Sequence, residues 1–161
     1  VSKGAFYHHF ASKQAVFQSL LEGWLSGLNL QMDALLNTAP DVPAGFMRMA
    51  SMAGPVFRDA QGQFPMFLEF WLQASRDDKI WQASIMPYRR YHKYFTALIK
   101  KGVDEGSFVE VDPEIASRLI VSTAMGLLLQ SLLDPRGAKW EKVARESTTM
   151  LVNSLLRKKQ E

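Results

Sequence analysis

Cysteine is absent from this 161-residue chain, and histidine occurs at only three positions. Without cysteine the protein can form no disulfide framework, no thiolate nucleophile and no cysteine-ligated metal site. The absence suits a reducing compartment, and we expect a cytoplasmic protein.

Long uninterrupted apolar runs are also lacking. The best candidate, from Leu127 to Leu133, is interrupted by Gln130 and Ser131, whereas a helix that crosses a bilayer needs about 20 mostly apolar residues. We therefore expect no membrane partner. Hydrophobic residues make up 47% of the chain, which is enough for one helical domain with a sizeable core.

Negative charge is missing from the start of the chain, where the first acidic residue is Glu22. The net charge of the whole chain is only +3, so any signal for nucleic-acid binding is local rather than global. Ser2 can cap a short helix on which Phe6 and Phe10 share one face. Such a helix, with no carboxylate nearby, suits a phosphate-rich partner.

The apolar residues that follow recur at helical spacing, and no alternating strand pattern is present. We predict an all-α fold with a long helix from Lys13 to about Asn37. Asp112-Pro113-Glu114 and an acid at Asp77 or Asp78 mark two helix starts, and Gly106 marks a helix end. Five further helices are predicted, at residues 42 to about 60, 64 to about 76, 79–105, 112–133 and 140–156, with a loop at 61–63.

The opening residues, Ser-Lys-Gly-Ala-Phe-Tyr-His-His-Phe-Ala-Ser-Lys at positions 2–13, resemble the recognition helix and the start of the linker helix of TetR-family bacterial transcriptional regulators. In that family two helices precede the recognition helix, and we expect both to be absent from the chain as numbered. The resemblance implies the end of a helix-turn-helix DNA-binding domain at residues 1–14, a linker helix at 15–37 and a ligand-binding and dimerisation domain at 38–161.

The resemblance also implies which residues contact DNA. Lys3 could reach a base edge or a phosphate, and Gly4 and Ala5 would allow close approach to the groove. The alternative is a surface helix with an incidental lysine and tyrosine. The expected DNA-binding residues are Lys3, Gly4, Ala5, Tyr7, His8, His9 and Lys13.

A metal site is not expected from the histidines. Adjacent residues on a helix point about 100° apart, so His8 and His9 cannot easily share one ion. His92 is distant in sequence, and no cysteine completes a ligand set. We expect neither a metal nor a cofactor.

The body is rich in methionine and aromatic residues, which suit an adaptable hydrophobic pocket. The alternative is that each of these residues simply belongs to the core. Polar candidates near the pocket are Gln73, Ser84, His92 and Gln130. The expected pocket residues are Met52, Phe57, Phe67, Phe70, Trp71, Met86, Tyr88, Tyr91 and Met125.

The last two helices carry a stripe of small and apolar residues. In the TetR family the last two helices of each subunit form a four-helix dimer interface, so the resemblance implies a homodimer. The expected interface residues are Thr123, Gly126, Leu127, Ser147, Met150, Leu151 and Ser154.

Together these expectations describe a ligand-responsive transcriptional regulator. It would be a repressor released from a two-fold symmetric DNA operator by a small hydrophobic effector. One alternative is a helical small-molecule carrier or interaction module without specific DNA binding. An enzyme is disfavoured, because the sequence shows no Ser–His–Asp set, Gly-rich phosphate loop or paired-carboxylate motif.

Overall fold

The computed structural model describes residues 13–157, which form a bundle of helices as the sequence predicts. One isolated antiparallel bridge joins Phe108 to Leu156. The helices are α1 (Lys13–Asn37), α2 (Val42–Ala74), α3 (Asp78–Asp104), α4 (Pro113–Leu133) and α5 (Trp140–Leu155).

Three helix boundaries follow the local signals in the sequence. Asp77 and Asp112 each accept hydrogen bonds from two backbone N–H groups of the helix that they precede, at 2.8–3.2 Å. Gly106 follows the end of α3 with a φ of 74°, a left-handed conformation that glycine adopts without the steric cost of a Cβ atom. The predicted caps are therefore confirmed.

Helix α2 departs from the expectation. It is one helix of 33 residues, whereas the sequence predicted two helices separated by a loop at residues 61–63. That prediction is wrong, and four helices rather than five follow the linker helix in the described part of the chain. Pro55 and Pro65 lie inside the helix, where a proline costs about 3 kcal/mol.

Burial explains why α2 continues through its prolines. Phe57, Phe64 and Phe67 each expose 5% or less of their surface and belong to the apolar clusters that join α2 to the neighbouring helices. Full burial of such a side chain contributes about 1.5–3 kcal/mol. The burial free energy of the three phenylalanines is therefore comparable to the free-energy cost of the two prolines. This contribution comes from tertiary packing, and the local sequence does not reveal it.

The end of α3 is joined to the start of α2 and to the end of α5. The Glu105 carboxylate accepts hydrogen bonds from the Val42 backbone N–H at 3.0 Å and from the Ser107 hydroxyl at 2.6 Å. The Val109 backbone N–H donates to the Leu155 carbonyl at 2.8 Å. This corner closes one end of the bundle.

Phe108 fills that corner. Its side chain is fully buried, and its ring meets the Phe46 ring edge-on at a centroid distance of 5.6 Å. The ring lies directly against the Cα atom of Gly102, and a Cβ atom at this glycine would overlap it. The absence of a side chain at Gly102 is therefore what allows Phe108 to pack.

Helix α4 leaves much of its apolar surface exposed, including Ile115, Leu119, Leu129 and Leu133. Contrary to the expectation from the sequence, α4 is long and apolar enough to cross a membrane by length and composition, because polar residues such as Gln130 carry no charge. Core helices of soluble proteins meet the same criterion. The exposed apolar face is the feature that needs an explanation.

Gly102→Ala is expected to destabilise the fold by about 1–3 kcal/mol, because the new methyl group overlaps the Phe108 ring in a packed corner. The measurement is urea unfolding followed by circular dichroism at one protein concentration. Gly62→Ala is the matched control, since a Cβ atom at Gly62 meets nothing within 4 Å. That control should stabilise helix α2 by about 0.5–1 kcal/mol. Equal effects of the two substitutions would contradict the packing argument.

Candidate functional site

A cavity of about 300 Å³ lies between the helices, and all five contribute to its wall. Helix α1 contributes seven side chains at helical spacing, so the linker helix is itself a wall of the cavity. These side chains are Leu21, Trp24, Leu25, Leu28, Gln31, Met32 and Leu35.

Most of the expected pocket residues meet at this cavity. Phe70 and Met86 do not line it: the Phe70 ring stacks on the Phe17 ring of α1 at a centroid distance of 3.5 Å, and Met86 lies on the outer side of α3 with 47% of its surface exposed. Of the polar candidates, Ser84 lines the cavity and Gln73, His92 and Gln130 do not. The expected residues that line it are Met52, Phe57, Phe67, Trp71, Tyr88, Tyr91 and Met125.

Many wall residues were not assigned to the pocket from the sequence, and two sets of them are informative. The first is the inner face of α1, which was interpreted only as a linker, although an apolar stripe along it indicated a buried face. The second set was assigned to the subunit interface and consists of Thr123, Leu127 and Leu151. These three residues line the cavity, and their predicted role in a subunit interface stays a prediction.

The cavity wall is apolar and uncharged. In the described part of the chain, no Asp, Glu, Lys, Arg or His side chain lines it, and its aromatic rings come from α1, α2 and α3. Tyr91 stays neutral as well, since burial, and secondarily the nearby Asp33 carboxylate, raises the pKa of its hydroxyl above the usual range. The wall therefore suits a hydrocarbon ligand surface.

Tyr91 also connects the cavity to the linker helix. Its ring lines the cavity, and its hydroxyl donates a hydrogen bond to the Leu25 backbone carbonyl of α1 at 3.1 Å. One turn further along α3, the Tyr94 hydroxyl donates to the Asp33 carboxylate of α1 at 2.8 Å. Burial, followed by this hydrogen bond, raises the pKa of Tyr94 above its usual range. Two tyrosines of α3 thus hold α1.

A second candidate site is the outer face of α4 and α5. Met150 exposes 72% of its surface, and a Cβ atom at Gly126 would meet nothing within 4 Å. Gly126, Ser147, Met150 and Ser154, the other four expected interface residues, do not line the cavity. Together with the exposed apolar residues of α4, they form a surface of small and apolar side chains that suits close helix packing.

The expected DNA contacts cannot be placed in the same way. Lys3, Gly4, Ala5, Tyr7, His8 and His9 lie outside the described residues, and Lys13 is the first residue of α1. Among the described residues, no group of three or more His, Cys, Asp or Glu residues could hold a metal ion.

Solved structures of regulators share this fold. A putative transcriptional regulator from Saccharomonospora viridis, solved with choline, has a TM-score of 0.80 at 20% identity and covers 98% of this chain and 82% of its own. The TetR-family regulator PfmR from Thermus thermophilus has a TM-score of 0.71 at 26% identity, with coverage of 98% and 84%.

FadR from Bacillus subtilis, solved with stearoyl-CoA, has a TM-score of 0.76 at 15% identity and covers 96% of this chain and 83% of its own. No curated protein matches this chain at a significant level. The sequence profile of the C-terminal domain of BetI-type transcriptional repressors matches residues 48–157, which is more than half of the chain. This chain therefore belongs to the TetR family of transcriptional regulators, with a BetI-type C-terminal domain.

Proposed function

We propose that this protein is a cytoplasmic, homodimeric transcriptional repressor whose affinity for a two-fold symmetric DNA operator falls when a small hydrophobic effector occupies the cavity. The observation that carries the proposal is that α1 adjoins both the cavity and the segment that resembles a recognition helix. This helix forms one wall of the cavity, and in the sequence it directly follows the segment that resembles a recognition helix.

Residues Lys3, Gly4, Ala5, Tyr7, His8, His9 and Lys13 are the proposed DNA contacts. In a dimer, two recognition helices about 34–36 Å apart fit successive major grooves of the operator. A ligand lowers operator affinity only if it binds the two arrangements of α1 with different affinity. Couplings of this kind typically change affinity about 5- to 150-fold.

The effector is proposed to be hydrophobic because the cavity wall is apolar, and not because of the ligands that similar solved structures contain. The regulators solved with choline and stearoyl-CoA are 20% and 15% identical to this chain. Sequence identities this low support a shared fold but not a shared ligand. The apolar lining and the lack of charged side chains among the described wall residues favour a ligand with little charge of its own.

The outer face of α4 and α5 is the proposed dimer interface. Exposed apolar residues recur along one side of α4 at positions 115, 119, 129 and 133, and Gly126 lies on the same side of the helix. Small residues at such a face allow the backbones of two subunits to approach closely, and burial of the stripe supplies the driving force.

Footprinting of the protein as its gene encodes it, on DNA upstream of that gene, is expected to show protection of a two-fold symmetric site. Protection follows from two identical recognition helices presented by one dimer. Ligand binding in the cavity without protection of any genomic DNA fragment would instead support the carrier function.

Met150→Lys is expected to convert dimers into monomers at micromolar concentration, because it would bury an unpaired charge in the interface. Sedimentation equilibrium measures the change. Leu30→Lys is the matched control, since Leu30 lies on α1 and exposes the same 72% of its surface. A Met150→Lys protein that stays dimeric would contradict the proposed interface.

Tyr91→Phe is expected to uncouple the ligand from DNA. The substitution keeps the ring in the cavity wall but removes the hydrogen bond to α1, so effector affinity should change less than about threefold while the effect of ligand on operator affinity falls several-fold. Fluorescence anisotropy of labelled operator DNA, with and without ligand, measures this effect.

Tyr88→Phe provides the control for that experiment. Tyr88 also lines the cavity. In the Tyr88→Phe protein, the effect of ligand on operator affinity should stay at the wild-type level. If both variants, or neither of them, lose the ligand effect, the specific role of the Tyr91 hydroxyl is wrong.

A further inference from the structure

Methionine supplies all of the sulfur in this chain, which has eight methionines and no cysteine. Two-electron oxidants such as hydrogen peroxide convert the methionine thioether to a sulfoxide. Because no thiol is present to react first, accessible methionines are the side chains that such an oxidant modifies in this protein. The consequence of oxidation then depends on where the accessible methionines lie.

Half of the methionines border the cavity. In the reduced form each of them contributes flexible apolar surface, which adapts to the shape of a ligand. Oxidation to the sulfoxide makes the same side chain polar, and in that form it disrupts apolar cores and contacts. The four wall methionines are Met32, Met49, Met52 and Met125.

Met52 is the most accessible of these four. It exposes 37% of its surface, whereas the other three are partly buried. Met52 is therefore the one methionine in the described part of the chain that is both exposed and part of the cavity wall. The other exposed methionines, none of which lines the cavity, are Met47, Met66, Met86 and Met150.

The position of sulfur within the side chain makes oxidation of Met52 relevant to the wall. Sulfur lies between the γ and ε carbons, so at most two bonds separate it from any other atom of the side chain. Whichever atoms of Met52 border the cavity, a sulfoxide oxygen is therefore placed at or beside them. An unpaired polar group in an apolar environment costs free energy, so an apolar ligand loses favourable contact there.

We infer that Met52 is a reversible oxidation site of the cavity wall, and that its conversion to the sulfoxide weakens the binding of an apolar ligand. A lone pair of the sulfur attacks one oxygen of hydrogen peroxide, so that an S–O bond forms while the O–O bond breaks. The leaving hydroxide takes the proton of the transferred oxygen and becomes water. Sulfur is oxidised by two electrons and the peroxide is reduced. Methionine sulfoxide reductases restore the thioether.

This inference rests on the proposed role of the cavity as the effector site. If effector binding lowers operator affinity, a protein with weakened effector binding needs a higher effector concentration before it leaves the DNA. Peroxide and effector would therefore act in opposite directions on operator occupancy. The chemical class of the modifying reagent is a small, uncharged two-electron oxidant.

The test uses the full chain and N-phenyl-1-naphthylamine, a neutral apolar fluorophore, as the probe. The protein is treated with hydrogen peroxide for increasing times, catalase stops the reaction, and peptide mass spectrometry measures the sulfoxide at each methionine. Probe affinity is expected to fall about five- to tenfold as Met52 is converted, as one unpaired polar group in an apolar wall predicts. Treatment with methionine sulfoxide reductases should restore the affinity.

Two leucine variants assign the effect to one sulfur. Met52→Leu keeps an apolar side chain of similar size but has no sulfur at this position. Whatever its starting affinity, peroxide should change its binding of the probe by less than about twofold. Met47→Leu is the matched control, because Met47 lies on the same helix with the same exposed fraction and does not line the cavity. This control should lose affinity on oxidation as the wild-type protein does.

The outcomes separate the inference from the proposed function. If probe affinity is unchanged once Met52 is converted, or falls equally in Met52→Leu, the inference is overturned while the cavity stays a ligand site. The same holds if Met52 stays reduced while the other exposed methionines are oxidised. If the untreated protein does not bind the probe, the proposed hydrophobic effector is overturned and the inference with it. The wild-type time course decides this even if a variant fails to fold.

Discussion

The position of helix α1 depends on an apolar face that the rest of the bundle covers only in part. Near its start, Phe17 and Leu21 are almost fully buried and pack against Phe67 of α2. Further along, the same face borders the cavity instead of solid core. Since packed interiors transmit displacement, a molecule that fills this space would add contacts to the middle of α1 in the proposed mechanism.

Helices α4 and α5 contribute to two surfaces, the wall of the cavity and the exposed outer face. Thr123 and Leu127 of α4 border the cavity, whereas Leu129 and Leu133 are exposed on the outside. The separation follows from helix geometry, since successive residues are rotated by about 100° and inward and outward side chains alternate along one element. In the proposed dimer, the ligand and the second subunit would therefore contact different sides of the same helices.

The sequence predicts where capped helices begin and end better than it predicts whether neighbouring helical segments are continuous. Caps at Asp77 and Asp112 and the glycine at position 106 depend on local chemistry, and they are where the sequence placed them. The continuity of α2 depends on distant phenylalanine packing, which no local rule contains.

The same reasoning applies to the cavity. Seven of the nine residues chosen by residue type line the cavity. Thr123 and Gly126 are only three positions apart, and they could be divided between cavity and outer surface only once the neighbouring helices were in place. Phe70 was misplaced for a similar reason, because its partner Phe17 belongs to another helix. Residue chemistry is visible in the sequence, whereas the direction in which a side chain faces depends on tertiary packing.

The exposed apolar face of α4 has a consequence for how the concentration of active regulator depends on the concentration of its subunits in a cell. A single subunit exposes leucine and isoleucine side chains along that face, and in the proposed dimer this apolar surface would be covered only once a second copy has bound. If the active species is a pair, its concentration varies with the square of the subunit concentration while pairing is weak. Halving synthesis would then leave about a quarter of the active protein, and the regulated promoter would respond to gene dosage more steeply than it would to a monomeric regulator.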